Sequence, residues 1–162
     1  RHEVAGGHGM KPPVPTLNPV CTLTVELGQI REMGGGRGGN RRIIPITGGS
    51  VSGGMTGKLL NLGADWQLVY QDGTAFLDTR YAFETDDGAL IEVVNLGFRH
   101  GPPEVLARLA AGESVDPTEY TMRTSARLET GDARYDWVNR TVFVSSGTRS
   151  VNGVVIDLYA VG

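Results

Sequence analysis

"DWQLVYQDGTAFLDTRYAFETDDGALIEVVNLGF", residues 65–98, decides the fold. Extended runs rich in β-branched and aromatic residues alternate with two short breaks, Asp72-Gly73 and Asp86-Asp87-Gly88. Asp-Gly between strand-like runs marks a tight hairpin, because both turn residues must reach positive φ. The stretch therefore reads strand, turn, strand, turn, strand, with antiparallel neighbours.

Working outward, "CTLTVEL" (21–27), "RRIIPITGG" (41–49), "EYTMRTSARLET" (119–130), "RTVFVSS" (140–146) and "GVVIDLYAV" (153–161) have the same character. Pro45 inside the second of these implies a sheet edge or a bulge. "GQIREMGGGRGGNRR" (28–42) reads as a loop. One segment breaks the pattern. In "PPEVLARLAAGE" (102–113), Val105, Leu106, Leu109 and Ala110 fall at helical spacing, Pro102 and Pro103 open the segment, and Gly112 ends it. Many antiparallel strands, close turns and one short helix predict an all-β protein, an antiparallel β-barrel. A two-sheet sandwich is the competing architecture, since periodicity does not separate the two.

The 162 residues suffice for one domain with a single core. Residues 1–14 are rich in Gly, His and Pro without a pattern and read as a tail, leaving 15–162 as the barrel domain. The 24 glycines show no triplet period, which suits many tight turns rather than collagen. A formal net charge of −3 offers no basic surface for nucleic acid. No apolar run reaches the length of a membrane span, and the first 20 residues hold no signal-peptide core, so a cytoplasmic protein is expected. Cys21 is the only cysteine, which excludes an internal disulfide and a thiolate zinc site. Of the 15 basic residues only Lys11 and Lys58 are lysines. Arginine's planar fork suits carboxylate and phosphate, although a GC-rich genome also produces such an excess.

Three motifs fail on inspection. "GGGRGG" (34–39) satisfies G-x-G-x-x-G but runs into a Pro-containing strand, whereas a dinucleotide loop must open a helix. "GGMTGKLL" (53–60) resembles a phosphate loop, but Ser52 stands where the first glycine belongs. "GGSVSGG" (48–54) misses the nucleophile-elbow spacing at both serines. His2, His8 and His100 form no ligand spacing. No cofactor and no metal are expected.

The polar residues carry more. In "AFLDTRYAFET" (75–85), Leu77, Thr79, Tyr81 and Phe83 share one face, and Phe76, Asp78, Arg80, Ala82 and Glu84 the other. Either the charges face water, or they line a ligand cavity while the apolar face packs outward. In "TMRTSARLE" (121–129), Arg123, Ser125, Arg127 and Glu129 share a face in the same manner. A buried arginine needs a carboxylate or an anionic ligand beside it. "RYDWVN" (134–139) places Tyr135, Trp137 and Asn139 on one side if extended, and each tryptophan directly follows an aspartate, Asp65-Trp66 and Asp136-Trp137. Core packing explains a tryptophan as readily as a pocket wall does.

Together, "NRRIIPITGGSVSGGMTGKLLNLGADWQLV", "DTRYAFETDDGALIEVVNLGFR" and "YDWVNRTVFVSSGTR", in this order, resemble the DUF3237 (UPF0311) family over roughly Pro15 to Gly162. The resemblance implies a compact antiparallel β-barrel of calycin-like appearance, often packed as a homo-oligomer, and little about a reaction. Positions that match the family pattern are Asp65 and Trp66, Arg80, Asp87 and Gly88, and Trp137 and Asn139.

The functional expectation is an enzyme acting without a cofactor on a small organic molecule with a carbonyl or enol group. It would be an isomerase, cyclase, hydratase or lyase working in the barrel lumen. Asp65 is the expected acid/base, because burial beside an indole raises a carboxyl pKa. Arg80 and Arg123 are expected to hold a developing oxyanion or a carboxylate. Trp66, Tyr135 and Trp137 are expected to form apolar walls, and Asn139 to supply a hydrogen bond. The alternatives are a binding or carrier barrel without chemistry, and a structural oligomer whose arginines form interface ion pairs.

Overall fold

The computed structural model describes residues 9–162. Of the segment 1–14 read as a tail, residues 1–8 lie outside the described residues, and 9–14 are exposed and carry no regular structure, as do 15 and 16. Ten strands follow: β1 (Leu17–Leu27), β2 (Arg31–Gly35), β3 (Asn40–Gly53), β4 (Gly57–Leu59), β5 (Gly63–Val69), β6 (Ala75–Thr85), β7 (Leu90–His100), β8 (Thr121–Glu129), β9 (Phe143–Ser150) and β10 (Gly153–Val161). The helix α1 (Pro103–Ala110) precedes β8. Two 3₁₀ segments, Pro117–Glu119 and Ala133–Arg140, complete the chain.

Every pairing is antiparallel. The order β1-β10-β9-β8-β7-β6 continues through β5 and β4 to β3, and β3 pairs back with β1. The sheet is therefore a closed barrel, and closure satisfies the strand edges that a sandwich would leave free.

Two differences from the sequence reading have local causes. Residues 28–42, expected as a loop, contain β2, which pairs with the start of β3. Its glycines and alternating polar residues hid it from a hydrophobic-period search. Pro45 lies where β3 passes from β2 to β1 as a neighbour, between the pairs Arg31–Ile43 and Leu27–Ile46. The ladder has a gap there, so the missing N–H costs nothing.

The two hairpin turns form where expected, but only the glycine of each reaches positive φ, Gly73 at +88° and Gly88 at +93°, while Asp72 and Asp87 do not. The helix also forms where expected. Val105 and Leu109 are its buried residues, and they pack on Ala75, Leu77, Tyr120 and Met122.

The interior is divided lengthwise. One end is solid, with Phe83, Ile91, Val93 and Phe143 fully buried among Leu23, Tyr81, Leu128 and Leu158. Each such side chain contributes about 1.5–3 kcal/mol by leaving water. Val138, from the 3₁₀ segment Ala133–Arg140, inserts into this end as a plug. The other end, beside α1, is hollow.

Candidate functional site in the barrel lumen

The hollow half is a cavity of about 450 Å³. That falls in the usual range for small-molecule sites, about 300–1,000 Å³. Its rim is formed by Leu27 at the end of β1, Gly28 and Ile30 after it, Ala110 at the end of α1, and Ser150 to Gly153 where β9 turns into β10. Its walls carry Val25, Ile44, Ile46, Leu77, Met122 and Ile156. Among these apolar residues stand Arg42, Asp65, Gln67, Thr79, Tyr81, Asn95, Arg99, Thr124 and Arg149.

Strand alternation explains how they arrive there. Asp65 and Gln67 are two apart on β5 and share the inner face, which sends Trp66 outward. Asp65 lies opposite Thr79 on β6, and Thr79 opposite Asn95 on β7. The three make a polar band across neighbouring strands. Arg99 follows Asn95 on the same face of β7, and Met122 of β8 lies opposite it.

Among the described residues Asp65 is the only carboxylate lining the cavity, and it is 8% exposed. Its Oδ1 accepts from the Asp78 backbone N–H at 3.0 Å and its Oδ2 from the Gln67 carboxamide at 3.0 Å. The Gln67 carbonyl in turn accepts from Arg42 Nε at 2.6 Å. Burial pushes the Asp65 pKa above its ordinary value of 3.8, against the opposing hydrogen bonds and the positive charge of Arg99. Burial also lowers the Arg99 pKa, helped by the like charges of Arg42 and Arg149. The Tyr81 phenol is pushed up by burial and stays protonated. The Cys21 thiol, pushed up to about 11 by burial, stays protonated at neutral pH.

Three buried side-chain atoms in the described residues lack a hydrogen-bond partner: Tyr81 Oη, Asn95 Oδ1 and Arg99 Nε. All three residues line this one cavity. Orphaned polar atoms are costly in a closed core, and their concentration in a cavity points to a site filled by water or ligand.

The structure brings only Asp65 of the sequence-predicted residues into the lumen. Arg80 is exposed on the outer face of β6, so the reading with core inside and charges in water holds for that strand. Arg123 is likewise exposed on the outer face of β8, where its Nη1 donates to the Met122 carbonyl. Trp66 is 45% exposed on the outer surface. "RYDWVN" is not extended but belongs to the 3₁₀ segment at the solid end, so Tyr135, Trp137 and Asn139 share no strand face and do not line this cavity. The local cause is side-chain capping. Asp132 accepts from the Arg134 backbone N–H, and the Asn139 carboxamide bridges the N–H and carbonyl of Thr130. Tyr135 donates to the Asp87 carboxylate, tying the plug to the turn between β6 and β7.

The sequence reading missed Arg42, Gln67, Thr79, Tyr81, Asn95, Arg99 and Arg149. A signal for two of them was present. In "IEVVNLGFR", Asn95 and Arg99 stand on the same alternation as Ile91 and Val93, polar residues on an apolar face.

The chain matches the family model described as "Protein of unknown function (DUF3237)" over residues 15–161. A UPF0311 protein of Rhodopseudomonas palustris is 45% identical over 150 residues, covering 91% of this chain and 98% of that protein. A β-barrel-like protein of Acinetobacter baumannii is 43% identical, with a TM-score of 0.84 over 95% of this chain and 100% of that one. A structure described as an enzyme from Penicillium herquei is 18% identical, with a TM-score of 0.71 over 95% of this chain and 99% of that one, a likeness of fold. The barrel, the matched span and these relatives agree: the chain belongs to the DUF3237 (UPF0311) family.

Proposed function

We propose that the lumen is an active site for proton transfer on a small organic molecule, with Asp65 as the acid/base. The observation that carries this reading is the state of Asp65. It is the sole carboxylate of the cavity, buried and raised in pKa, with its two oxygens oriented by Gln67 and the Asp78 N–H. With the Thr79 hydroxyl as a further donor, three of the carboxylate's about four acceptor sites are engaged, which leaves one for a substrate proton. A base whose pKa is raised accepts a proton more readily at neutral pH.

The substrate class is a carbonyl or enol compound. Asp65 takes a proton from a carbon next to the carbonyl, and the C–H electron pair moves onto the carbonyl oxygen as an enolate. The arginines of the lumen supply the positive potential that stabilises this charge, usually a large part of such catalysis. Protonated Asp65 then returns the proton at another carbon, which completes an isomerisation. Expulsion of a β-hydroxyl from the enolate, protonated to water as it leaves, gives dehydration, and the reverse, addition of water to the β-carbon of the unsaturated carbonyl compound, gives hydration. The roles expected of Arg80 and Arg123 pass in this reading to Arg99 and its neighbours. The Penicillium herquei barrel is in keeping with catalysis on this scaffold and carries nothing about substrate.

The test needs no known substrate. A panel of enolisable ketones and 2-oxo acids is incubated with the protein in D₂O, and loss of the α-proton signal is followed by NMR. Wild type should accelerate exchange for members of the panel, and Asp65→Asn should lower that rate by about 10²–10⁴-fold. Exchange that Asp65→Asn leaves intact, or none across the panel, rejects the reading.

A second reading has its own observation. Both Asp65 oxygens are already held by protein donors, a pattern that also suits a carboxylate that only supports a binding cavity. Recovery of a bound ligand unchanged after long incubation favours this carrier reading.

A further inference from the structure

The lumen holds three arginines and one carboxylate. With all four charged, it carries two more positive than negative charges. Among the described residues none of these arginines forms an ion pair inside the cavity. Arg42 Nε donates to the neutral Gln67, and its carboxylate neighbour Glu32 is exposed and 4.0 Å from Nη1. Arg149 Nη1 donates to the carbonyl of Leu109 at the end of α1, 3.1 Å away. Arg99 Nε is buried without a partner. Arg149 is exposed at the rim, Arg42 and Arg99 are partly buried, and the like charges of Arg42 and Arg149 act on Arg99, a repulsion that an anion entering the cavity offsets.

The opposite depth of the cavity asks for a different group. Asn95 Oδ1 is a buried acceptor without a donor, and the Tyr81 hydroxyl is buried without a partner. Asn95 lies in the band with Thr79 and Asp65. It stands four residues from Arg99 on the same strand face, about 13 Å along the strand. Ile44, Ile46, Leu77, Met122 and Ile156 supply the apolar lining.

We infer that the lumen takes an organic acid: a carboxylate held by Arg99 with Arg42 and Arg149, an apolar skeleton along the aliphatic walls, and a hydroxyl or enol directed at Asn95 and Tyr81. The inference rests on the reading of the lumen as the ligand site, and it stands whether or not Asp65 performs chemistry. A carboxylate is favoured over a phosphate ester because, among the described residues, no helix N-terminus lines the cavity. Phosphates are typically met by helix N-termini and glycine-rich N–H cradles, whereas α1 presents its C-terminal residue Ala110 to the rim. The carboxylate is then the handle, and the hydroxyl end lies beside Asp65.

The test is calorimetric titration of the full chain with 3-(4-hydroxyphenyl)propanoate, its carboxamide, its analogue lacking the hydroxyl, and 4-hydroxyphenethyl phosphate. The acid should bind about tenfold or more tightly than the amide. Arg99→Gln should bring that ratio close to one, and Arg99→Lys should keep part of it if the glutamine variant does not fold. The analogue lacking the hydroxyl should bind several-fold more weakly to wild type, but not to Asn95→Ala. Equal affinity for acid and amide, no saturable binding of the acid up to its solubility, or a tenfold preference for the phosphate overturns the inference. Binding of the acid together with absent exchange in D₂O would keep the organic-acid site and reject the catalytic reading.

Discussion

Gln67 holds Asp65 in place. Its carboxamide nitrogen lies 3.0 Å from Asp65 Oδ2, while its carbonyl accepts from Arg42 Nε at 2.6 Å. The orientation of the amide is set by the pair, because reversing it would face the carbonyl toward a carboxylate and the nitrogen toward a guanidinium. Gln67 is 2% exposed, so its own end of both hydrogen bonds is buried. Gln67→Ala should cost about 1–3 kcal/mol in urea denaturation, the penalty of unpaired buried polar groups. It should also raise the Asp65 pKa further, which the pH midpoint of any Asp65-dependent exchange would register. A variant as stable as wild type with an unmoved midpoint would show that the chain of bonds does not orient Asp65.

The pH dependence of stability has a defined sign. Burial raises the Asp65 pKa above 3.8, so the folded chain binds this proton more tightly than the unfolded chain. The favourable contribution is complete below that value and is lost as pH rises through the folded pKa. The stability difference between wild type and Asp65→Asn should therefore fall with rising pH inside that window, by up to about 1.4 kcal/mol per pH unit, and then level off. Urea titrations of both proteins across acidic pH check this. The difference is the needed quantity, since Asp132 acts the other way. Hydrogen bonds from Arg134 lower the Asp132 pKa to about 2, so its contribution is lost as pH falls.

Arg80 and Arg123 serve as controls on the outer wall. Both are exposed and neither lines the cavity. Arg80→Gln and Arg123→Gln should each leave affinity for the hydroxyphenyl acid unchanged and stability within about 0.5 kcal/mol. A tenfold loss of affinity in either would return the site to the outer face.

Gly63 permits the approach of β5 to β6. A Cβ on Gly63 would collide with the Cβ of Tyr81 and the carbonyl of Arg80. Gly63→Ala should therefore destabilise the barrel by about 3 kcal/mol, the upper end for overpacking. It should also disturb Tyr81, a residue lining the cavity, so ligand affinity should fall together with the melting temperature.

Val138 tests the plug. It is 1% exposed and belongs to the core at the solid end. Val138→Ala should cost about 1–3 kcal/mol by leaving a void. Ligand affinity should persist, because the hollow half lies at the other end of the barrel. Unfolding by denaturant and titration with the acid read the two effects separately.

The sequence by itself determined the strand-rich architecture, the Asp-Gly hairpins, the helix opened by Pro102 and Pro103, and a family pattern that includes Asp65. These are local matters, since turn geometry, alternation and helix spacing are written in neighbouring residues. It also contained a readable clue in Asn95 and Arg99, polar residues on the apolar face of β7. The tertiary structure alone decided which face of each strand turns inward, and with it the fate of Arg80, Arg123 and Trp66. Alternation has two solutions that differ by one residue, and only closure of the barrel through the pairing of β1 with β3 selects between them. Closure likewise gathered Arg42, Asp65, Arg99 and Arg149 from four strands around one cavity. Their proximity is a property of register across the barrel, to which no local spacing corresponds.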